Sequence, residues 1–177
     1  MTQVFSGDTG ASAVLPGSVT NGALAAGAVN QSNLAANVVG NGPAFSYSSS
    51  SVTNVGNGAT TVLVYATKDF DTHNAVSAST FTAPVAGYYW FVGSCYVGSP
   101  IAANSTITLA LYKNTVKYAQ TNHTNGIAAY DTSQVTAFML LATGDTVDVR
   151  VVQNTGVTIN TTADTSTKFS GFLARSA

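Results

Sequence analysis

The sequence predicts an all-β sandwich that follows a repetitive N-terminal arm. Three observations carry this reading: a five-residue repeat that ends near Gly42, period-two alternation of apolar residues after Pro43, and one strand that is apolar on both of its faces. The chain therefore divides into an arm, residues 1–42, and a β domain, residues 43–177.

The arm comes first. Read in fives from Ala13 it runs AVLPG, SVTNG, ALAAG, AVNQS, NLAAN, VVGNG. The second position is always Val or Leu: Val14, Val19, Leu24, Val29, Leu34 and Val39. The fifth is small or turn-prone: Gly17, Gly22, Gly27, Ser32, Asn37 and Gly42. A period of five fits neither the helical 3.6 nor the strand's two. It suits a chain that turns every few residues and offers one apolar side chain per unit. Six units cannot bury a core alone, so these residues are expected to pack on further copies or on a partner surface. They are the candidate particle-attachment residues. The glycines are five apart, which rules out a collagen tract.

The β domain alternates apolar and polar residues in Thr61–Tyr65, Thr106–Tyr112 and Val147–Val151. Turn signals separate the runs: Gly56-Asn57-Gly58, Pro84 with Gly87, Lys113-Asn114, Asn125-Gly126, Thr143-Gly144-Asp145 and Asn154-Thr155-Gly156. Helical periodicity is missing throughout. About eight to ten short strands with frequent turns predict a sandwich. The run Tyr88-Tyr89-Trp90-Phe91-Val92 departs from simple alternation. If Tyr89 and Phe91 enter the core, then Tyr88, Trp90 and Val92 point outward as a patch that something must cover. Copies of the same chain around a symmetry axis are the simplest cover.

Five motifs in this region, taken in order, resemble the trimeric jelly-roll domain shared by the complement q-subcomponent globular head and the tumour necrosis factor group. They are Pro43-Ala44-Phe45-Ser46, the run Phe81–Phe91 with Pro84, Gly87 and Tyr88, Leu111-Tyr112-Lys113-Asn114, the run Leu141–Val147 with Gly144-Asp145, and Phe169-Ser170-Gly171-Phe172-Leu173. The resemblance implies a ten-stranded jelly-roll β-sandwich that forms a homotrimer through its inner sheet. It places Tyr88, Trp90, Val92 and Phe172 at the trimer interface. The chain departs from the secreted members in having no collagen stalk and no disulfide.

Composition narrows the function. Charged residues are 7% of the chain and the net charge is −1, against roughly 25% charged residues in ordinary soluble proteins. Six Lys and Arg cannot form the basic stripe that nucleic acid or an anionic membrane requires. The hydrophobic fraction of 45% is core material, not disorder. No run approaches the ~18 apolar residues of a membrane span. The segment Met1–Asp8 lacks a basic end and an apolar run, so synthesis in a host cytoplasm and exit by another route, such as lysis, is expected.

Catalytic chemistry is not expected. His73 and His123 sit in polar stretches that read as loops, with no sequence motif supplying a nucleophile and a carboxylate. Asp69, Asp71 and His73 alternate, but they are a poor start on the six to eight oxygens of a calcium site. Cys95, the single cysteine, has the parity of Tyr89 and Phe91 and should be buried as a small hydrophobe. Tyr130 and other loop aromatics offer stacking surfaces for sugars. The expected protein is thus neither an enzyme nor a metal or cofactor binder. It is a virion structural protein, a bacteriophage capsid decoration or cement protein whose arm binds the major capsid protein or other virion subunits and whose knob projects outward. The alternatives are the receptor-binding tip of a short tail fibre, touching a host surface glycan, and a lectin-like bacterial surface module.

Overall fold

Where apolar residues alternate, the chain extends. In order the strands are β1 (Ala44–Ser48), β2 (Asn54–Val55), β3 (Thr61–Val62), β4 (Thr67–Asp71), β5 (Val76–Ser77), β6 (Thr80–Thr82) and β7 (Gly87–Ile101). There follow β8 (Thr106–Lys113), β9 (Val116–Thr124), β10 (Ala129–Leu141), β11 (Thr146–Gln153), β12 (Ile159–Asn160) and β13 (Lys168–Ser176). These come from a computed structural model, which describes residues 41–127 and 129–177. The repeat residues Val14, Val19, Leu24, Val29, Leu34 and Val39 lie outside the described residues. No helix occurs among the described residues.

Two antiparallel sheets face each other. One has the order β10-β7-β13-β1-β4 and the other the order β5-β6-β11-β8-β9, with β3 pairing β11. The short pair β12-β2 stands apart. The architecture is the expected all-β jelly-roll sandwich. Among the described residues the strand segments number thirteen where ten were expected, and four of them, β2, β3, β5 and β12, are two-residue pieces. Turn residues such as Gly56 and Gly58 interrupt pairing there before it can propagate.

The core lies between the sheets and is aromatic at its centre. Phe45 stacks on Phe81 at 5.1 Å and meets the edge of Phe169 at 4.9 Å, while Phe81 meets Phe91 edge-on at 5.3 Å. Such pairs add about 0.5–1.5 kcal/mol each beyond the area they bury. Ile107, Leu109, Leu111, Val147, Val149 and Val151 close the cluster from the other sheet. Cys95 is fully buried, as its parity requires.

At one side of the sandwich the edge strands β9 and β10 meet. The Lys113 Nζ donates to the Leu140 carbonyl at 2.8 Å and the Tyr118 hydroxyl donates to the Phe138 carbonyl at 3.1 Å. His123 Nδ1 bonds the buried carboxylate of Asp131. Side chains of the opposing sheet thereby occupy carbonyls that an open edge would offer to another chain.

Candidate functional site

The outward face of the five-stranded sheet is built by three long strands in fixed register. Trp90 on β7 stands opposite Phe138 on β10 and Phe172 on β13. Tyr88 stands opposite Leu140, and Val92 lies between Thr136 and Ser170. Period-two alternation sends Tyr89, Phe91 and Gly93 into the core, so their neighbours must face out. The result is a cluster of large apolar side chains in contact with water: Trp90 is 37% exposed, Phe138 47%, Phe172 48% and Leu140 49%. Tyr88 is half-buried because it stacks on Phe138 at 6.0 Å with the Arg175 guanidinium 5.9 Å from its ring centre. Val92 is likewise half-buried.

The face changes character along β7. Beyond Val92 it turns polar: the Ser170 hydroxyl donates to Ser46, and the Ser46 hydroxyl donates to Asp69, which also pairs with Lys168 at 2.9 Å. Phe70 interrupts this polar zone at the β4 edge and is exposed. The outward face of the other sheet is polar where the Thr106–Thr108 part of β8 pairs with β9, although Val116 and Tyr118 of β9 are exposed. There the Thr108 hydroxyl donates to Asn122, and Thr106 bonds Thr124. Water can solvate that face but not the aromatic cluster, so the cluster is the candidate site.

Of the four expected interface residues, Tyr88, Trp90 and Phe172 come together in this cluster and Val92 borders it. Phe138 and Leu140 belong to it as well and were missed. The run Ala137-Phe138-Met139-Leu140-Leu141 carries the two-faced apolar signature that picked out Tyr88–Val92. Phe70 gave no such signal, since Lys68, Asp69 and Asp71 surround it.

At the same end two of the motifs dock. The Asn114 amide donates to Asp145 at 2.7 Å, and its carbonyl accepts from the Thr146 backbone at 2.8 Å. Lys113 reaches the Asp145 carboxylate at 2.9 Å. Asn114, then Lys113 and the Ala142 amide, hold the Asp145 carboxyl down at a pKa of about 2.

The chemical candidates read differently in three dimensions. His123, expected in a loop, lies on strand β9, and Asp69 and Asp71 lie on β4. A hydrolytic triad places histidine between its carboxylate and its hydroxyl. Here Asp131 sits in the middle, with His123 on one oxygen and the Ser133 hydroxyl 3.5 Å from the other. Burial, then the Asp131 charge, pushes the Cys95 thiol up to about 12, where it is a poor nucleophile. The Asp71 carboxylate accepts from the backbone amides of His73, Ala75 and Val76 and from the Tyr47 hydroxyl. Among the described residues no group of three or more metal-ligating side chains assembles.

The two sheets define the class, an antiparallel jelly-roll β-sandwich with an apolar cluster on one outward face. The family model described as the C1q domain matches residues 44–174, and the chain belongs to that family. Among solved structures, the globular domain of a zebrafish complement 1qA protein is 19% identical, with a TM-score of 0.56, over 76% of this chain and 99% of that one. The Eiger tumour necrosis factor of S. frugiperda is 16% identical, with a TM-score of 0.57, over 76% and 93%. Murine APRIL is 11% identical, with a TM-score of 0.56, over 74% and 97%. At such identities the likeness concerns the fold. No curated protein sequence matches the chain.

Proposed function

We propose that the chain is a non-enzymatic virion structural protein: a homotrimeric bacteriophage capsid decoration protein, carried on the virion surface with its knob projecting outward. The observation that carries the assembly is the water-exposed cluster of Trp90, Phe138, Leu140 and Phe172 on a chain otherwise poor in charge. Burying the exposed half of each such side chain contributes about 1 kcal/mol per copy, and three copies around an axis bury it three times over. Domains of this family typically form homotrimers, which favours sister subunits as the cover.

The particle role rests on the arm. Its Val and Leu side chains at every fifth residue offer apolar contacts without charge, suited to lying along the major capsid protein or other virion subunits. Three arms on one knob multiply weak contacts into firm attachment.

Two measurements test this. Light scattering on Trp90→Asp is expected to show monomer or insoluble protein, because the substitution places an unpaired charge in the contact. A soluble Trp90→Asp trimer would remove the interface. Electron microscopy of particles bearing labelled protein is expected to show label over the head. Label confined to the tail tip would replace the decoration reading with a receptor-binding one.

A further inference from the structure

Asparagine followed by glycine is a reactive pair. Glycine has no side chain to keep its amide nitrogen away from the preceding carboxamide, so that nitrogen can attack the asparagine Cγ and expel ammonia. The described residues include three such pairs, Asn41-Gly42, Asn57-Gly58 and Asn125-Gly126. The fold treats the last two in opposite ways. Asn57-Gly58 is held at both reacting groups. The Asn57 carboxamide oxygen accepts from the Gly156 amide at 2.9 Å, and the Gly58 amide donates to the Gln153 carbonyl at 2.8 Å.

Asn125-Gly126 follows β9 directly, and only its backbone is pinned. The Asn125 amide donates to the Ser105 carbonyl at 3.2 Å, and the Asn104 amide donates to the Asn125 carbonyl at 2.6 Å. The side chain is a different matter. Asn125 is 9% exposed, and its side-chain nitrogen is buried with no hydrogen-bond partner. Among the described residues nothing accepts from the Gly126 amide either. A buried donor left unpaired is destabilising, so no hydrogen bond is lost when the carboxamide nitrogen leaves. The Asn104 contact falls on the carbonyl of the same peptide whose nitrogen must give up its proton. A donor placed there stabilises the anion that forms on the peptide.

We propose that Asn125 is a site of spontaneous covalent modification, at which a neutral carboxamide becomes a carboxylate in the folded protein. The Gly126 nitrogen loses its proton and bonds to the Asn125 Cγ. The Cγ–Nδ2 bond breaks, and the departing nitrogen takes up that proton and leaves as ammonia. One water then opens the cyclic succinimide. Opening at Cγ restores the normal backbone with an aspartate, and opening at the backbone carbonyl leaves an isoaspartate, whose main chain runs through the side-chain carbon. No electrons change hands and water is the sole co-reactant. The reaction is intramolecular, so it needs no free surface and does not rest on the trimer reading. Its product brings charge to an end of the sandwich whose turns, residues 49–60, 102–105, 125–127 and 154–167, carry one formal charge, Asp164. An isoaspartyl link also shifts the Asn125 carbonyl away from Asn104 and so unties the two turns that meet there.

The test incubates the full-length protein for weeks at mildly alkaline pH and maps its peptides by mass spectrometry, with a urea-unfolded sample alongside. In the folded protein Asn125 is expected to convert about ten-fold or more faster than Asn57, because two hydrogen bonds must break at Asn57 and none at the reacting groups of Asn125. Both aspartyl and isoaspartyl products should appear. Unfolded protein has lost those restraints and should convert the two sites at similar rates. Gly126→Ala tests the attacking nitrogen. A Cβ at Gly126 meets nothing within 4 Å and the backbone there is not left-handed, so the variant is expected to fold. Its conversion of Asn125 should fall about ten-fold or more. Three results would overturn the site: Asn125 intact, or no faster than Asn57, in the folded protein; a rate ratio that unfolding leaves unchanged; or undiminished conversion in Gly126→Ala.

Discussion

Asp145 shows how much one surface residue can organise. Its carboxylate takes the Asn114 amide, the Lys113 ammonium and the Ala142 backbone amide, so it joins the β8–β9 turn to the loop before β11. With its pKa held at about 2 against roughly 4 in an unfolded chain, the group favours the fold above about pH 4, and that contribution disappears as pH falls through about 2. The expected outcome is a melting temperature that declines between pH 4 and pH 2, with a visibly shallower decline in Asp145→Asn. Equal slopes in thermal melts of the two proteins would show that the docking adds nothing. Asn114 and Asp145 were both readable from the sequence as turn residues. Their partnership was not, because it depends on two hairpins arriving side by side.

Among the elements, the β8–β9 hairpin makes the sharpest case. Lys113 pairs with Val116, which leaves a two-residue turn at Asn114-Thr115 with φ of 48° and 69°. A turn positive at both residues matches the right-handed twist of its strands and favours Asn followed by Gly. Asn114 fits. Thr115 is β-branched and held in a region that such residues avoid. Replacing Thr115 with Gly should therefore raise stability by about 1 kcal/mol in urea unfolding. A loss of stability would mean that the threonine side chain compensates its backbone. The strands themselves were readable where one face is buried, as in β8 and β11. Strand β9 was not, because both its faces are largely exposed and period two has nothing to mark. That is why His123 read as a loop residue. The stack of Tyr96 on Tyr130 was equally hidden, since it exists only through the pairing of β7 with β10.

For the whole molecule, the proposed trimer implies thermodynamic coupling between folding and assembly. A subunit that unfolds from a trimer loses its sister contacts in the same step, so mass action makes the melting temperature rise with protein concentration. A monomeric sandwich would show no such dependence. Phe138 separates the cases well. It lies on the outward face and is largely exposed, with its core-side neighbours Met139 and Val135 doing the packing of β10. Phe138→Asp should accordingly leave a folded sandwich whose melting temperature is flat over a concentration range of about 100-fold, while that of the wild type climbs by a few degrees. Calorimetric scans of both proteins at the two ends of that range decide the matter. If the wild type is as flat as the variant, the aromatic face is not closed by copies of this chain, and the proposed trimer falls.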